Sequence, residues 1–129
     1  MPGIVAVTFK RFTDYETAKN ELDELTQFLS THHLEQWPLW VLTDDSQWMS
    51  LELNNFLWAT FTRSQPAKDI YGVSATFIDK HWCCKTPLII DARVKPHHAP
   101  ELETDPEVSK KVDQMFAKGG ILHGKIKGL

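Results

Sequence analysis

Pro38-Leu39-Trp40-Val41-Leu42-Thr43-Asp44-Asp45-Ser46 is a short apolar run, rich in β-formers, that ends abruptly in an acidic turn. Such a run reads as a buried strand rather than an amphipathic helix. Upstream, Ile4-Val5-Ala6-Val7-Thr8-Phe9 has the same character. Between the two, Thr13-Asp14-Tyr15-Glu16 has the capping-box pattern and predicts a helix start. Tyr15, Ala18, Leu22, Leu25, Phe28 and Leu29 recur at three and four and predict one apolar stripe. Strand, helix and strand in that order form a crossover unit and predict a parallel pair.

Downstream the alternation continues. Ser50 to Phe61 predicts a helix with Leu53, Phe56, Leu57 and Phe61 on one face, broken by Ser64-Gln65-Pro66. Asp69 to Phe77 reads as a third strand, His81 to Thr86 as a loop and Leu88 to Asp91 as a fourth strand. Lys95-Pro96-His97-His98-Ala99-Pro100 reads as an extended surface crossing, because proline fixes φ and restricts its predecessor. Thr104-Asp105-Pro106-Glu107 opens a last helix, with Val108, Val112, Met115 and Phe116 as its apolar stripe. Gly119-Gly120 ends it. The tail Ile121 to Leu129 has apolar residues but no clear element, which points to docking on a partner. The expected fold is α/β: one domain over 1–129, with a mostly parallel sheet of about four strands and helices packed on it.

The chain has 129 residues, 42% hydrophobic and 24% charged, enough for a core without staples. A net charge of −3 argues against a nucleic-acid partner, which favours basic surfaces. There is no basic segment leading into an apolar run at the start, and no apolar stretch of about 20 residues. The two cysteines, Cys83 and Cys84, are adjacent and poorly placed to pair; reduced thiols fit the cytoplasm.

P-loop, GxGxxG and GxSxG patterns are missing. His32, His33, His81, Cys83, Cys84, His97, His98 and His123 show no CxxC or HExxH spacing, so no metal site is expected. Asp44 and Asp45 follow a strand end, where α/β folds place ligand groups, but capping of the next helix is the plainer reading. Asp91-Ala92-Arg93 at another strand end fits a local ion pair as well as it fits chemistry. Lys10 and Arg11 follow the first strand, where a cation meets an anion such as a carboxylate, or simply water. His81-Trp82 puts a titratable ring beside a large aromatic: His81 as a proton carrier or donor, Trp82 as a plug or interface anchor.

The order of segments resembles the C-terminal domain of the UbiD family of (de)carboxylases. The run Asn55-Phe56-Leu57-Trp58-Ala59-Thr60-Phe61-Thr62-Arg63, continuing as Gln65-Pro66-Ala67-Lys68-Asp69-Ile70, carries most of the likeness. Pro87-Leu88-Ile89-Ile90-Asp91-Ala92, the Lys-Pro-His-His-Ala-Pro stretch and the Gly-Gly-Ile-Leu-His-Gly ending carry the rest. The endings are similar to the branch acting on phenolic and related aromatic acids. Phe61, Ser64 and Arg93 depart from residues common in the family and leave the substrate class open.

The resemblance implies reversible carboxyl transfer dependent on prenylated FMN and a divalent metal. The family's flavin-binding domain and its Glu-Arg-Glu set lie in a region this sequence does not contain. No residue here inherits a catalytic role, and the chain alone is expected to bind neither flavin nor metal. Lys10 and His81 match rim positions of the family's substrate pocket, and Trp82, Arg93, His97 and His98 are expected on its interface or lid. The expected partner is a larger flavin-binding subunit, in a hetero- or homo-oligomer, with no nucleic acid and no membrane. A small subunit that completes such an enzyme is one reading; a non-catalytic assembly or regulatory protein on the same domain is the other, and a piece of a longer enzyme a third.

Overall fold

The computed structural model describes residues 2–99 and 105–125. By its internal contacts the 1–129 span divides into two compact units, Met1–His98 and Ala99–Leu129.

The first unit holds the sheet. Strands β1 (Ile4–Thr8), β2 (Leu39–Thr43), β3 (Ile70–Ile78) and β4 (His81–Asp91) lie in the order β1-β2-β4-β3. β1, β2 and β4 run parallel, with Ala6 opposite Val41 and Val41 opposite Ile90. β3 closes one edge antiparallel to β4, so the sheet is mixed and mostly parallel. Successive side chains point to opposite faces. Leu42 and Ile89 therefore meet helix α1 (Tyr15–Leu29) through Leu22 and Leu29 on one face. Val41 and Ala92 meet Met49, Phe56 and Ala59 of helices α2 (Ser46–Leu51) and α3 (Leu53–Thr62) on the other. Burial on both faces is why these strands read as continuous apolar runs.

Several sequence expectations are corrected. The cap of α1 is Asp14, whose Oδ1 accepts from Thr17 N at 2.8 Å; Thr13 sits one residue too early. Phe28, expected on the buried stripe, is exposed and lies 4.4 Å from the His32 ring centroid. The helix expected over 50–61 is two helices. The chain turns extended at Glu52, and Asn55 Nδ2 donates back to Trp48 O at 3.0 Å, satisfying a carbonyl that α2 leaves open. This break rotates α3, so Phe56, Ala59 and Thr60 face the sheet while Leu53, Leu57 and Phe61 face outward.

Residues 81–86, expected as a loop, are strand. Asp79 and Lys80 both take positive φ, 49° and 69°, and close a tight hairpin. Phe77 pairs with Trp82 and Ile78 with His81. The run Cys-Cys-Lys-Thr-Pro lacks the alternation that marks a half-buried strand, because this half of β4 extends beyond β2 and neither face is fully covered. The 95–98 crossing is not extended: His98 N donates to Lys95 O at 2.9 Å and closes a turn. Pro100 lies outside the described residues.

In the second unit α4 (Pro106–Phe116) starts as expected. Asp105 Oδ1 accepts from Glu107 N at 2.8 Å, and Pro106 occupies the first turn. Gly119, with φ 92°, lets Leu122 N return to Met115 O at 3.0 Å. Among the described residues the stripe of Val108, Val112 and Met115 is exposed rather than buried. Of the tail, 121–125 form turns and 126–129 lie outside the described residues.

Candidate functional site

Parallel strands deliver their C-terminal ends to one edge, where α/β sheets place their ligands. At this edge β1 gives way to Lys10–Phe12, β2 to Asp44 and Asp45, and β4 to Asp91–Pro96. Asp45 caps α2 through Trp48 N at 2.9 Å, as the plainer reading expected. Asp44 Oδ2 accepts from Val94 N at 2.6 Å and ties the second strand end to the fourth.

A pair of wholly buried cations organises the edge. Arg93 is 0% exposed. Its Nε and Nη2 fork onto Asp91 at 2.9 and 2.8 Å, while Nη1 donates to Lys10 O at 2.8 Å and to Glu21 Oε2 at 3.0 Å. The rings of Phe9 and Phe12 flank the guanidinium at 5.2 and 5.6 Å. Burial works against that charge, but the hydrogen bonds and charge of Asp91, then of Glu21, outweigh it and hold Arg93 protonated. Lys95 Nζ donates to Asp91 O at 2.8 Å and Arg63 O at 3.1 Å, and lies 3.5 Å from Asp69 Oδ2. Asp69 Oδ2 also accepts from Gln65 N at 2.6 Å. Charges removed from water must be paired and hydrogen-bonded, and these are paired, with Asp69 Oδ1 the one buried oxygen of the set that lacks a hydrogen bond.

Outside this lock lies a cleft of about 450 Å³, lined by Arg11, Phe12, Asp44, Val94, Lys95 and Pro96. Lys10 stands at the same strand end with its side chain 75% exposed and its ammonium 3.8 Å from Glu21 Oε1. His97 is exposed and stacks on Tyr15 with 6.4 Å between centroids. His98 is half-buried, and its Nδ1 accepts from Lys95 N at 3.1 Å. Burial first, then the neighbouring His97 and Lys95, push the His98 pKa down.

The expected site residues do not all gather. Lys10, His97 and His98 belong to the strand-end side. His81 and Trp82 sit ten and nine residues before Asp91 on β4, at the hairpin tip, so His81 lies roughly 30 Å from the edge at about 3.3 Å per residue. Lys10 and His81 thus occupy opposite ends of the sheet. Arg93, expected at an interface, is buried and presents no side chain to a partner. Burial raises the Cys84 thiol, with Cys83 adding to it, which keeps it protonated and unreactive.

No three His, Cys, Asp or Glu side chains among the described residues are grouped to hold a metal. The starts of α1, α2 and α4 are each capped by an aspartate, which repels phosphate. No described helix is long and apolar enough to cross a membrane.

Sequence reading missed Glu21, Asp69 and Lys95, because Glu, Asp and Lys are ordinarily solvated. A signal was present: Asp91, Arg93 and Lys95 alternate immediately after a fully apolar strand, where the chain is still inside the fold.

No protein-family model matches the chain. It is 36% identical over 87 residues, 66% of its length, to a protein of Chlamydia pneumoniae named as a 4-hydroxybenzoate decarboxylase subunit, covering 15% of that protein. It is also 38% identical over 91 residues, 70% of its length, to an uncharacterised protein of Chlamydia muridarum, covering 16% of it. The chain spans about a sixth of the length of these curated relatives. A solved structure of the Sedimentibacter hydroxybenzoicus vanillic acid decarboxylase, in open form, matches with a TM-score of 0.48 at 20% identity. That match covers 89% of this chain and 27% of the other.

Proposed function

We propose that this chain serves a UbiD-type (de)carboxylase as a small subunit, or as the equivalent domain of a longer enzyme. The reaction is reversible carboxyl transfer on a phenolic or related aromatic acid. The observation that carries the reading is the kinship with a protein named as a 4-hydroxybenzoate decarboxylase subunit. The larger partner holds prenylated FMN, with a divalent metal, and the catalytic carboxylates. This chain supplies Lys10 at the pocket edge and a face for the partner. The uncovered apolar side of α3, with Leu53, Leu57 and Phe61 exposed, supports a role in assembly. Where this domain moves against the flavin domain, it opens and closes the site.

Co-expression with a larger UbiD-type flavin-binding chain from the same genome, followed by native mass spectrometry and a 4-hydroxybenzoate turnover assay, tests the proposal. A complex that turns over only with both chains is the expected result. Two chains that never associate overturn the small-subunit form of the proposal, and a covalent fusion of the two without turnover overturns the domain form. Unchanged turnover with Lys10→Met in a normally assembled complex assigns this chain an assembly role alone.

A further inference from the structure

We infer that Arg93 and Glu21 are positioning residues for Lys10, Arg93 fixing its main chain and Glu21 directing its ammonium. The inference takes its functional meaning from the decarboxylase reading, but its geometry stands apart. Arg93 spends two of its three nitrogens on Asp91. The third, Nη1, serves two acceptors that lead to the same place: Lys10 O at 2.8 Å and Glu21 Oε2 at 3.0 Å. The other oxygen of Glu21 faces Lys10 Nζ at 3.8 Å. One carboxylate thus bridges a buried guanidinium and an exposed amine.

Two exposed side chains gain little from pairing, since both must give up rotamer freedom. Glu21 differs: only 16% of its side chain is exposed, and Arg93 already holds it. Lys10 alone is left to be ordered. The contact with Glu21 is long and open to water, so an incoming carboxylate can take the place of Glu21 without disturbing Arg93. The chemistry fitted to Lys10 is therefore a carboxylate that arrives and leaves, as that of an aromatic acid does.

A zero-length carbodiimide crosslink on the folded chain, mapped by peptide mass spectrometry, reads the geometry. The expected result is a Lys10–Glu21 bond in the wild type, reduced severalfold in Arg93→Lys with unchanged far-UV circular dichroism. Glu21→Asp, which withdraws the carboxylate by one methylene, keeps the test open if Arg93→Lys does not fold, and the same loss is expected. No crosslink in the wild type, or an equal yield in the folded variants, overturns the inference. In the assembled enzyme, Glu21→Gln is expected to move KM for 4-hydroxybenzoate severalfold while kcat stays close to wild type. Parallel loss of both with folded protein overturns the positioning role. A wild-type assembly without turnover overturns the decarboxylase reading, while the crosslink still decides the positioning.

Discussion

Asp91 accepts both arms of Arg93 with its side chain and Lys95 Nζ with its main chain. Removing one partner of such a pair leaves the other charge buried alone, at about 3–5 kcal/mol. Asp91→Ala is expected to cost that much in urea denaturation, while Lys19→Ala, on the exposed outside of α1, costs less than about 1 kcal/mol. His98 sets a pH dependence. Its folded pKa lies below its unfolded value, so the unfolded chain binds the extra proton first as pH falls through the ordinary histidine range, about 6.5. Stability is therefore expected to fall on going from about pH 8 to about pH 5, and His98→Gln to flatten that slope. His97 and Lys95 face His98 and oppose its charging, Asp69 favours it, and Arg63 opposes it. At this scale a cap at Asp44-Asp45 was readable from the sequence, because a cap is a local event, though not which of the two supplies it nor that the helix starts at Ser46. The depth of Arg93 and Lys95 was not, because it depends on Glu21 and Asp69, far away in the chain.

Among the elements, β3 and β4 approach tightly at Gly72. A Cβ on Gly72 would clash with both Cβ and Sγ of Cys84. Gly72→Ala forces the two strands apart beside the register shift at Val73. A loss of about 1–3 kcal/mol is expected in thermal melts, with a smaller loss in Gly72→Ala/Cys84→Ala, where the sulfur is gone. Strands β1 and β2 were legible because both faces pack against helices, half-burying β1 and burying most of β2, which makes them mainly apolar. The outer half of β4 was not, since it is only partly covered and its composition is that of a loop. α3 was legible as a helix but its face was misread: it is apolar almost all round, so periodicity could not choose between Leu57 and Ala59. The break at Glu52 decided it. Leu57→Lys is expected to leave the melting temperature of the chain within a few degrees, and to abolish co-purification with the larger chain, as read by size-exclusion chromatography.

Across the whole molecule, the sheet and both of its helical layers lie within the first unit. Among the described residues, both hydrophobic clusters are built from the first unit. A chain ending after Ala99 is expected to keep the near-UV circular dichroism of Trp40 and the cooperative melt of the full chain. The α/β class, the strand order along the chain and the last helix were readable from periodicity. The two-unit division was not, because α4 carries an apolar stripe as regular as that of a buried helix. The buried charges at the strand ends bear on how such a molecule changes over generations. Asp69, Asp91, Arg93 and Lys95 share one buried site, and single exchanges among them strand a charge. Their effects are therefore coupled rather than additive. A lineage can retain the four or replace them together with apolar residues of similar volume, and the intermediates carrying three are the ones selection removes.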